Sequence, residues 1–286
     1  MKYNKCTKDI VSEAINLINN KGYSQKAAAK ELNVYYKTLL NHLSKHPEKT
    51  IGRKGKKRID SKYFNKIDTE RKAYWLGFLT ADGYLSSKGT LELTLAEKDF
   101  EHIKLFKKDL KSEHSISVKK NYLNGKEFKQ YRISFTDEEI ASDLYKYGLN
   151  NRKTFNAYIP LEYIPQHLIK HYIRGLFDGD GSVYSAGDNR INVTIASTAS
   201  IVMGNNLISC LFDNDISATY TIDRRTNNNL YNININKTRE IQRLFKWMYS
   251  DATIYLERKY NRFAVSGQIA WRPEMIRAEL SGEMGT

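Results

Sequence analysis

Apolar and polar positions follow the same order of patterns twice along the chain. Each copy begins with an apolar, helix-like segment and continues with stretches in which apolar and polar residues alternate, a period that predicts strands with one buried face. Predicted strands are 84–86, 90–95, 115–122 and 128–135 in the first copy, and 182–185, 190–196, 216–223 and 230–236 in the second. Apolar spacing of three and four residues predicts further helices at 100–110, 138–147, 201–212 and 239–249. The pattern therefore predicts a duplicated α+β fold.

The helix-like segments that start the two copies are related nine-residue stretches, 75–83 and 173–181, which lie 98 residues apart. Residues i and i+4 share a helix face, so small residues line one face of each segment. These are Gly77 and Ala81 in the first, and Gly175 and Gly179 in the second. Glycine inside a helix costs roughly 0.5–1 kcal/mol relative to alanine, which is reasonable where two backbones approach closely. We expect each segment to pack against the other.

Both segments end in Asp-Gly, with Asp82-Gly83 in the first copy and Asp180-Gly181 in the second. The glycines are predicted to end their helices in the left-handed conformation. A carboxylate at the negative end of a helix dipole is unfavourable, and two brought together are worse unless a cation lies beside them. An oxygen-only site of this kind suits Mg²⁺ and phosphate oxygens. Asp-Gly is also ordinary turn chemistry, but its repetition favours a site.

The two stretches resemble the paired motifs of the LAGLIDADG homing endonucleases. The matching residues are Gly77, Ala81, Asp82 and Gly83 in the first copy, and Gly175, Asp178, Asp180 and Gly181 in the second. Thr80 stands where the family has an earlier acid, and Arg174 where it has a small residue. The resemblance implies one chain with two pseudo-symmetric αββαββα halves, whose antiparallel sheets form a saddle over DNA.

The same resemblance implies a catalytic centre between the motif helices. Mg²⁺ or Mn²⁺ would be held at Asp82, Asp180 and the following Gly83 and Gly181, and each DNA strand would be cut to leave short 3′ overhangs. Family sites also carry a basic residue late in each half. Lys153 and Lys259 are the candidates here, since both follow an arginine after the last predicted helix of their half. The alternative for each is a surface lysine that contacts a phosphate or solvent.

The polar faces of the predicted strands have a composition suited to reading DNA bases. Asparagine can bond adenine bidentately in the major groove, and a two-stranded ribbon fits that groove. The candidate DNA-binding residues on the strands and their turns are Arg132, Ser134, Tyr184, Arg190, Asn192, Thr194, Thr221, Arg225, Asn232 and Asn234. The alternative is a plain solvated face, which usually carries Lys and Glu.

Three short helices are predicted before the duplicated region, with Ser24 as the N-cap of the second. They resemble a helix-turn-helix module, and its recognition helix would present Tyr36, Lys37 and Asn41. The alternative is a helical subdomain that does not touch DNA. A basic tract follows and would track phosphates or a minor groove; its DNA-binding candidates are Arg53, Lys54, Lys56, Lys57 and Arg58.

Composition narrows the class of partner. The 286-residue chain carries 46 Lys+Arg against 32 Asp+Glu, a formal charge of +14, which implies a polyanionic partner. It has no transmembrane run or signal peptide, so no membrane partner is expected. Cys6 and Cys210 form no metal-spaced pair, which suggests reduced thiols in the cytoplasm or nucleoid of a host cell rather than a secreted protein. We expect a monomer.

The predicted organisation has five parts. They are a helix-turn-helix module at 1–48, a basic linker at 49–68, the first repeat at 69–163, the second repeat at 164–263, and a tail of unknown role at 264–286. The predicted function is a site-specific homing endonuclease that makes a metal-dependent double-strand break in a long double-stranded DNA target. An RNA maturase and a non-cleaving DNA-binding transcriptional regulator on the same scaffold remain alternatives. Mobility of an intron or intein is the expected context, with a free-standing protein preferred over an intein.

Overall fold

The computed structural model describes residues 3–19, 23–45, 57–123, 125–150, 153–187, 190–224 and 229–265. Contacts divide the chain into two compact units, with the boundary between Arg58 and Ile59. Within the described ranges, no helix combines the length and the apolar character needed to cross a membrane.

The described residues of the first unit form three helices, α1 (Lys8–Asn19), α2 (Gln25–Glu31) and α3 (Tyr36–Leu43). Their apolar stripes meet in a small core of Val11, Ala14, Ala29, Leu39 and Leu43. Ser24 caps α2 as predicted, since its Oγ accepts a hydrogen bond from the Ala27 N–H at 3.1 Å. A residue in the left-handed region, Asn33 with φ of 50°, turns the chain from α2 towards α3.

The second unit contains the duplicated αββαββα order, as predicted. The first half comprises α4 (Glu70–Asp82), β1 (Gly83–Leu85), β2 (Thr90–Ala96), α5 (Phe100–Asp109), β3 (Ser117–Leu123), β4 (Lys126–Thr136) and α6 (Glu138–Lys146), and is followed by the short α7 (Lys153–Asn156). The second half comprises α8 (Ile169–Asp180), β5 (Ser182–Gly187), β6 (Arg190–Thr198), α9 (Ile201–Phe212), β7 (Thr219–Asp223), β8 (Leu230–Ile235) and α10 (Thr238–Tyr249), and is followed by α11 (Glu257–Val265).

Each half builds a four-stranded antiparallel sheet, with the order β1-β2-β4-β3 in the first and β5-β6-β8-β7 in the second. Alternation holds well in β2, where Leu91, Leu93 and Leu95 are buried. It fails in β6, where Ile195 and Ala196 are both buried. The register of β6 with β8 shifts between Thr194 and Ala196, so a bulge turns two successive residues inward.

Most element ends lie within two residues of the predicted ones, and two boundaries differ by more. The predicted linker reached residue 68, but Tyr63, Phe64 and Ile67 are buried in the core of the second unit, because apolar residues after the basic tract fill space beside α4 to α6. The strand predicted from residue 216 begins at Thr219, because Ile216 is buried in the core ahead of the ladder. Residues 46–56, which include most of the basic tract, and the tail from residue 266 lie outside the described residues.

Candidate functional site

The two motif helices, α4 and α8, pack directly on each other through their small residues. A Cβ atom added at Gly77 would fall far inside van der Waals distance of the Tyr172 carbonyl oxygen, and one at Gly175 would meet the Tyr74 carbonyl in the same way. Because Tyr74 and Tyr172 are themselves 98 residues apart, the two contacts are related by the internal repeat. The close approach predicted from the sequence is therefore confirmed.

The glycines that end the helices have a different role from the predicted one. Gly83 and Gly181 both have φ of −73°, in the extended region and not the left-handed one. A Cβ at Gly83 would lie 2.6 Å from the Leu79 carbonyl oxygen, and one at Gly181 would lie 2.7 Å from the Ile195 carbonyl oxygen. Crowding, and not a positive φ, therefore requires glycine where each helix passes into the first strand of its sheet.

Asp82 and Asp180 are the last residues of α4 and α8, and both are exposed. An Asp82 Oδ2 lies 3.5 Å from the position that a Cβ at Gly179 would occupy, which places this carboxylate against the last turn of the opposite helix. Within the described residues no cluster of three or more His, Cys, Asp and Glu side chains forms a closed metal site. Two exposed carboxylates fit a hard divalent cation that keeps several waters.

Lys259 approaches the same helix end from α11. Its side chain is buried, and its Nζ donates hydrogen bonds to the carbonyl oxygens of Phe177 at 2.7 Å and Gly179 at 3.2 Å. Burial lowers the pKa of Lys259 to about 8, while the carboxylates of Asp178, Asp82 and Asp180 act in the opposite direction. The ammonium thus adds hydrogen bonds to carbonyl oxygens in the last turn of α8, beside the two acids.

For the other lysine candidate, Lys153, only the position along the chain is described. Lys153 is the first residue of α7, but its side chain is outside the described residues, so its role stays a prediction.

Behind the two acids lies a buried polar chain that the sequence did not reveal. The Tyr74 hydroxyl lies 2.8 Å from His102 Nε2 and donates to Asp178 Oδ2 at 2.8 Å, and the Leu256 N–H donates to the same oxygen at 2.7 Å. Tyr74 has one proton and gives it to Asp178, so His102 Nε2–H must donate to Tyr74. Burial raises the pKa of Asp178 to about 6, and its Oδ1 has no hydrogen-bond partner among the described residues.

The equivalent positions of the other half make a shorter version of this chain. The Tyr172 hydroxyl donates to Thr80 Oγ1 at 3.1 Å, and Thr80 donates in turn to the Leu76 carbonyl at 2.8 Å. The repeat of tyrosine at 98-residue spacing is the signal that could have identified these bonds. The two halves thus differ in charge just behind the acids, with a carboxyl group in one and a hydroxyl in the other.

We predict that His102 makes stability depend on pH below neutrality. Burial lowers its folded-state pKa to about 4 from an ordinary value of 6.5, so the unfolded chain binds more protons between these values. The free energy of unfolding should decrease as pH drops from 6.5 to 4, and in the His102→Gln variant this decrease should be smaller by on the order of 2 kcal/mol. Urea unfolding across this pH range would measure the change, with His167→Gln at an exposed histidine as control. The prediction would be contradicted if the free energy of unfolding changed with pH equally in wild type and in His102→Gln.

A second buried group joins the helix pair at its other end. Arg174 is fully buried and donates to Glu70 Oε1 at 2.6 Å and to the Ile254 carbonyl at 2.9 Å. It also donates to His171 Nδ1 at 2.8 Å, so His171 carries its proton on Nε2. Arg174, which stands where the family motif has a small residue, is therefore accommodated by its ion pair with Glu70 in the first turn of α4.

The strand registers bring most of the predicted DNA-binding side chains to one face of each sheet, opposite the apolar face. We call these the open faces. The open face of the first sheet carries Arg132 and Ser134 with Tyr84, Glu92 and Thr94, and that of the second carries Tyr184, Arg190, Asn192, Thr194, Thr221, Asn232 and Asn234. Arg225 lies outside the described residues.

Several of these polar groups are bonded to one another. Asn234 is buried, and its amide accepts from Thr194 Oγ1 at 2.8 Å and donates to Thr221 Oγ1 at 3.0 Å. Asn232 Oδ1 accepts from Ser197 Oγ at 2.6 Å. The centre of the open face of the second sheet therefore consists of neutral polar side chains that are hydrogen-bonded to one another.

Of the candidates in the first unit, Tyr36, Lys37 and Asn41 lie on α3 and are exposed. Lys57 and Arg58 are the last two residues of the first unit and are described, whereas Arg53, Lys54 and Lys56 lie outside the described residues. The roles of these residues in binding DNA stay predictions.

Comparison of the sequence with protein-family models and with curated proteins finds no match. Solved structures do match. The homing endonuclease I-WcaI bound to its DNA recognition sequence superposes with a TM-score of 0.53 at 14% identity, over 73% of this chain and 95% of that one.

Two further matches have lower TM-scores. Full-length DUF199/WhiA from Thermatoga maritima has a TM-score of 0.45 at 12% identity, over 79% of this chain and 71% of that one. I-DmoI in complex with DNA and Mn has a TM-score of 0.43 at 15% identity, over 63% of this chain and 97% of that one. From the I-WcaI superposition together with the paired αββαββα halves, the chain has the single-chain fold of the LAGLIDADG homing endonucleases.

Proposed function

We propose that the protein is a site-specific DNA endonuclease that needs a divalent metal ion and cuts both strands of a long target to leave short 3′ overhangs. One observation carries the proposal: two exposed aspartates end two closely packed helices, with the buried Lys259 ammonium beside them. Carboxylates gathered at the negative ends of two helices are unfavourable without a cation. A protein that only bound DNA, with no metal ion, would therefore lose stability from this arrangement and gain nothing.

Double-stranded DNA is the partner best suited to the rest of the molecule. The net charge of +14 favours a polyanion, and the open faces carry Asn, Thr, Ser, Tyr and Arg side chains, which bond base edges. The similar fold of I-WcaI is seen bound to a DNA recognition sequence. Tyr36, Lys37, Asn41 and the basic tract would add contacts to DNA, and the protein would act as a monomer inside the host cell.

Asp82 and Asp180 would hold Mg²⁺ or Mn²⁺, with Gly83 and Gly181 leading the backbone away from the site without a side chain. Bound there, a divalent ion supplies an activated water and neutralises charge on the phosphate. Lys259 keeps one N–H after its two bonds to the carbonyls of Phe177 and Gly179, since an ammonium has three donors. Directed at the scissile phosphate, that N–H would stabilise the negative charge that develops in the transition state.

Lys259→Gln should lower the cleavage rate about 100-fold while DNA binding in EDTA changes little. Loss of one preorganised donor at a transition state costs about 10²–10³ in rate. Single-turnover cleavage with excess enzyme would measure it, and Lys246→Gln, at an exposed lysine of α10, is the matched control. Cleavage by Lys259→Gln at the rate of the Lys246→Gln control would remove Lys259 from the site.

A cleavage selection tests the function itself. Purified protein is incubated with a randomised duplex library in Mg²⁺ or in EDTA, and both cut ends and bound duplexes are sequenced. Recovery of one long consensus with staggered 3′ ends, in Mg²⁺ alone, is the expected result. Enrichment of bound duplexes without cut ends would contradict cleavage and indicate the transcriptional regulator or the RNA maturase, which a measurement of RNA binding would then separate.

A further inference from the structure

Glu92 is an acidic side chain in the middle of the open face of the first sheet. It lies opposite Tyr84 of β1 and Ser134 of β4. Among the described side chains on this face of β1 to β4, it is the one carboxylate, surrounded by hydroxyl, amide and basic groups. A carboxylate facing DNA repels phosphates, so a binding face tolerates it only where it meets a hydrogen-bond donor.

Glu92 and Arg132 form a pair with bonding capacity left over. Arg132 Nη1 donates to Glu92 Oε2 at 3.4 Å, and Thr94 Oγ1 donates to Glu92 Oε1 at 3.2 Å. Each carboxylate oxygen thus keeps a further acceptor site. The two side chains are 43% exposed for Arg132 and 32% for Glu92, which puts both within reach of a ligand on the open face.

The guanidinium of Arg132 is also incompletely bonded. Its Nε is buried and has no hydrogen-bond partner among the described residues, and its bond to Glu92 is long. Its exposed part is therefore the outer edge, from which arginine makes two parallel bonds to a planar acceptor pair. Both halves of the ion pair present unused donors or acceptors on the same side.

This pattern of donors and acceptors matches the major-groove edge of one G·C base pair. Guanine offers O6 and N7 as acceptors for arginine, and the cytosine paired with it offers its N4 amino group to a carboxylate. We propose that Arg132 and Glu92 form one base-reading unit that selects a G·C pair in the part of the target under the first sheet. This inference rests on the proposed function, because it requires DNA on the open face.

The test is a binding selection with the full chain in EDTA, where cutting plays no part. Wild type should give a consensus with a G·C pair under the first sheet. Glu92→Gln should lower the preference for G·C at that one position about tenfold, because the neutral amide loses the charge-assisted bond to the cytosine amino group. Arg132→Lys, which keeps the charge but loses the planar edge, should relax the same position.

The matched control is Glu127→Gln. Glu127 also pairs with a basic residue across two strands of this sheet, Lys120 at 3.1 Å, but on the opposite face. It should leave the consensus unchanged. A consensus that Glu92→Gln leaves intact, or that the Glu92 and Arg132 variants relax at different positions, overturns the base-reading unit while the proposed function stands. A wild type that enriches no duplex overturns both.

Discussion

Asp82→Asn and Asp180→Asn should each reduce double-strand cleavage by at least about 1,000-fold while DNA binding survives. Asparagine keeps the shape of the side chain but removes the negative charge that a hard divalent cation needs. Both residues are exposed ends of their helices, so neither change leaves a cavity or an unpaired group in the core. Binding in EDTA should change by less than about fivefold, the scale of exposed charges.

The measurement is single-turnover cleavage of the selected target with each variant, beside binding by gel shift in EDTA. Asp213→Asn provides a close control, because Asp213 is an exposed aspartate at the C-terminal end of α9, outside the α4 and α8 pair. That variant should cut like wild type. Retained double-strand cleavage in both Asp82→Asn and Asp180→Asn would refute the assigned site.

Gly77→Ala, or the equivalent Gly175→Ala, should destabilise the second unit by at least about 3 kcal/mol. The added methyl would collide with a backbone carbonyl and a backbone nitrogen of the opposite helix, which no rotamer change relieves. Overpacking a core usually costs about 1–3 kcal/mol, and a collision with backbone belongs at the upper end or beyond. Urea unfolding followed by circular dichroism would measure the change.

Gly204→Ala separates this collision from the general effect of glycine in a helix. Gly204 is also buried inside a helix, α9, but a Cβ there would lie 3.5 Å from the nearest atom, Ile233 Cδ1, which is ordinary contact. Alanine should therefore be neutral or stabilise by roughly 0.5–1 kcal/mol through helix propensity. Equal effects of Gly77→Ala and Gly204→Ala would contradict the close approach of α4 and α8.

Much of the fold follows from local periodicity. The alternation of Leu91, Leu93 and Leu95 with polar residues fixes which face of β2 is buried, and the repeat of that pattern after residue 181 predicts the second sheet. The small residues of the motif segments predicted the α4 and α8 contact for the same reason, since spacing of four residues defines a helix face. These features depend on near neighbours in the chain.

The remaining features depend on distant residues. Tyr74 and Asp178 are bonded although 104 residues separate them, and Arg174 meets Glu70 over the same separation. The sequence gives no sign that a leucine amide, Leu256, would cap the Asp178 carboxyl. The bulge after Thr194 likewise arises from pairing with β8 and not from the sequence of β6. Contacts of this kind need the tertiary structure.

Arg174 and Glu70 give the two halves different and complementary surfaces. At the 98-residue spacing of the repeat, Leu168 takes the place of Glu70 and Leu76 the place of Arg174. A symmetric dimer of the second half alone would bury two guanidinium groups with a leucine in place of each carboxylate, at about 3–5 kcal/mol for each unpaired charge. The second half is therefore disfavoured from pairing with a copy of itself. The ion pair of Arg174 and Glu70 instead favours its pairing with the first half of the same chain.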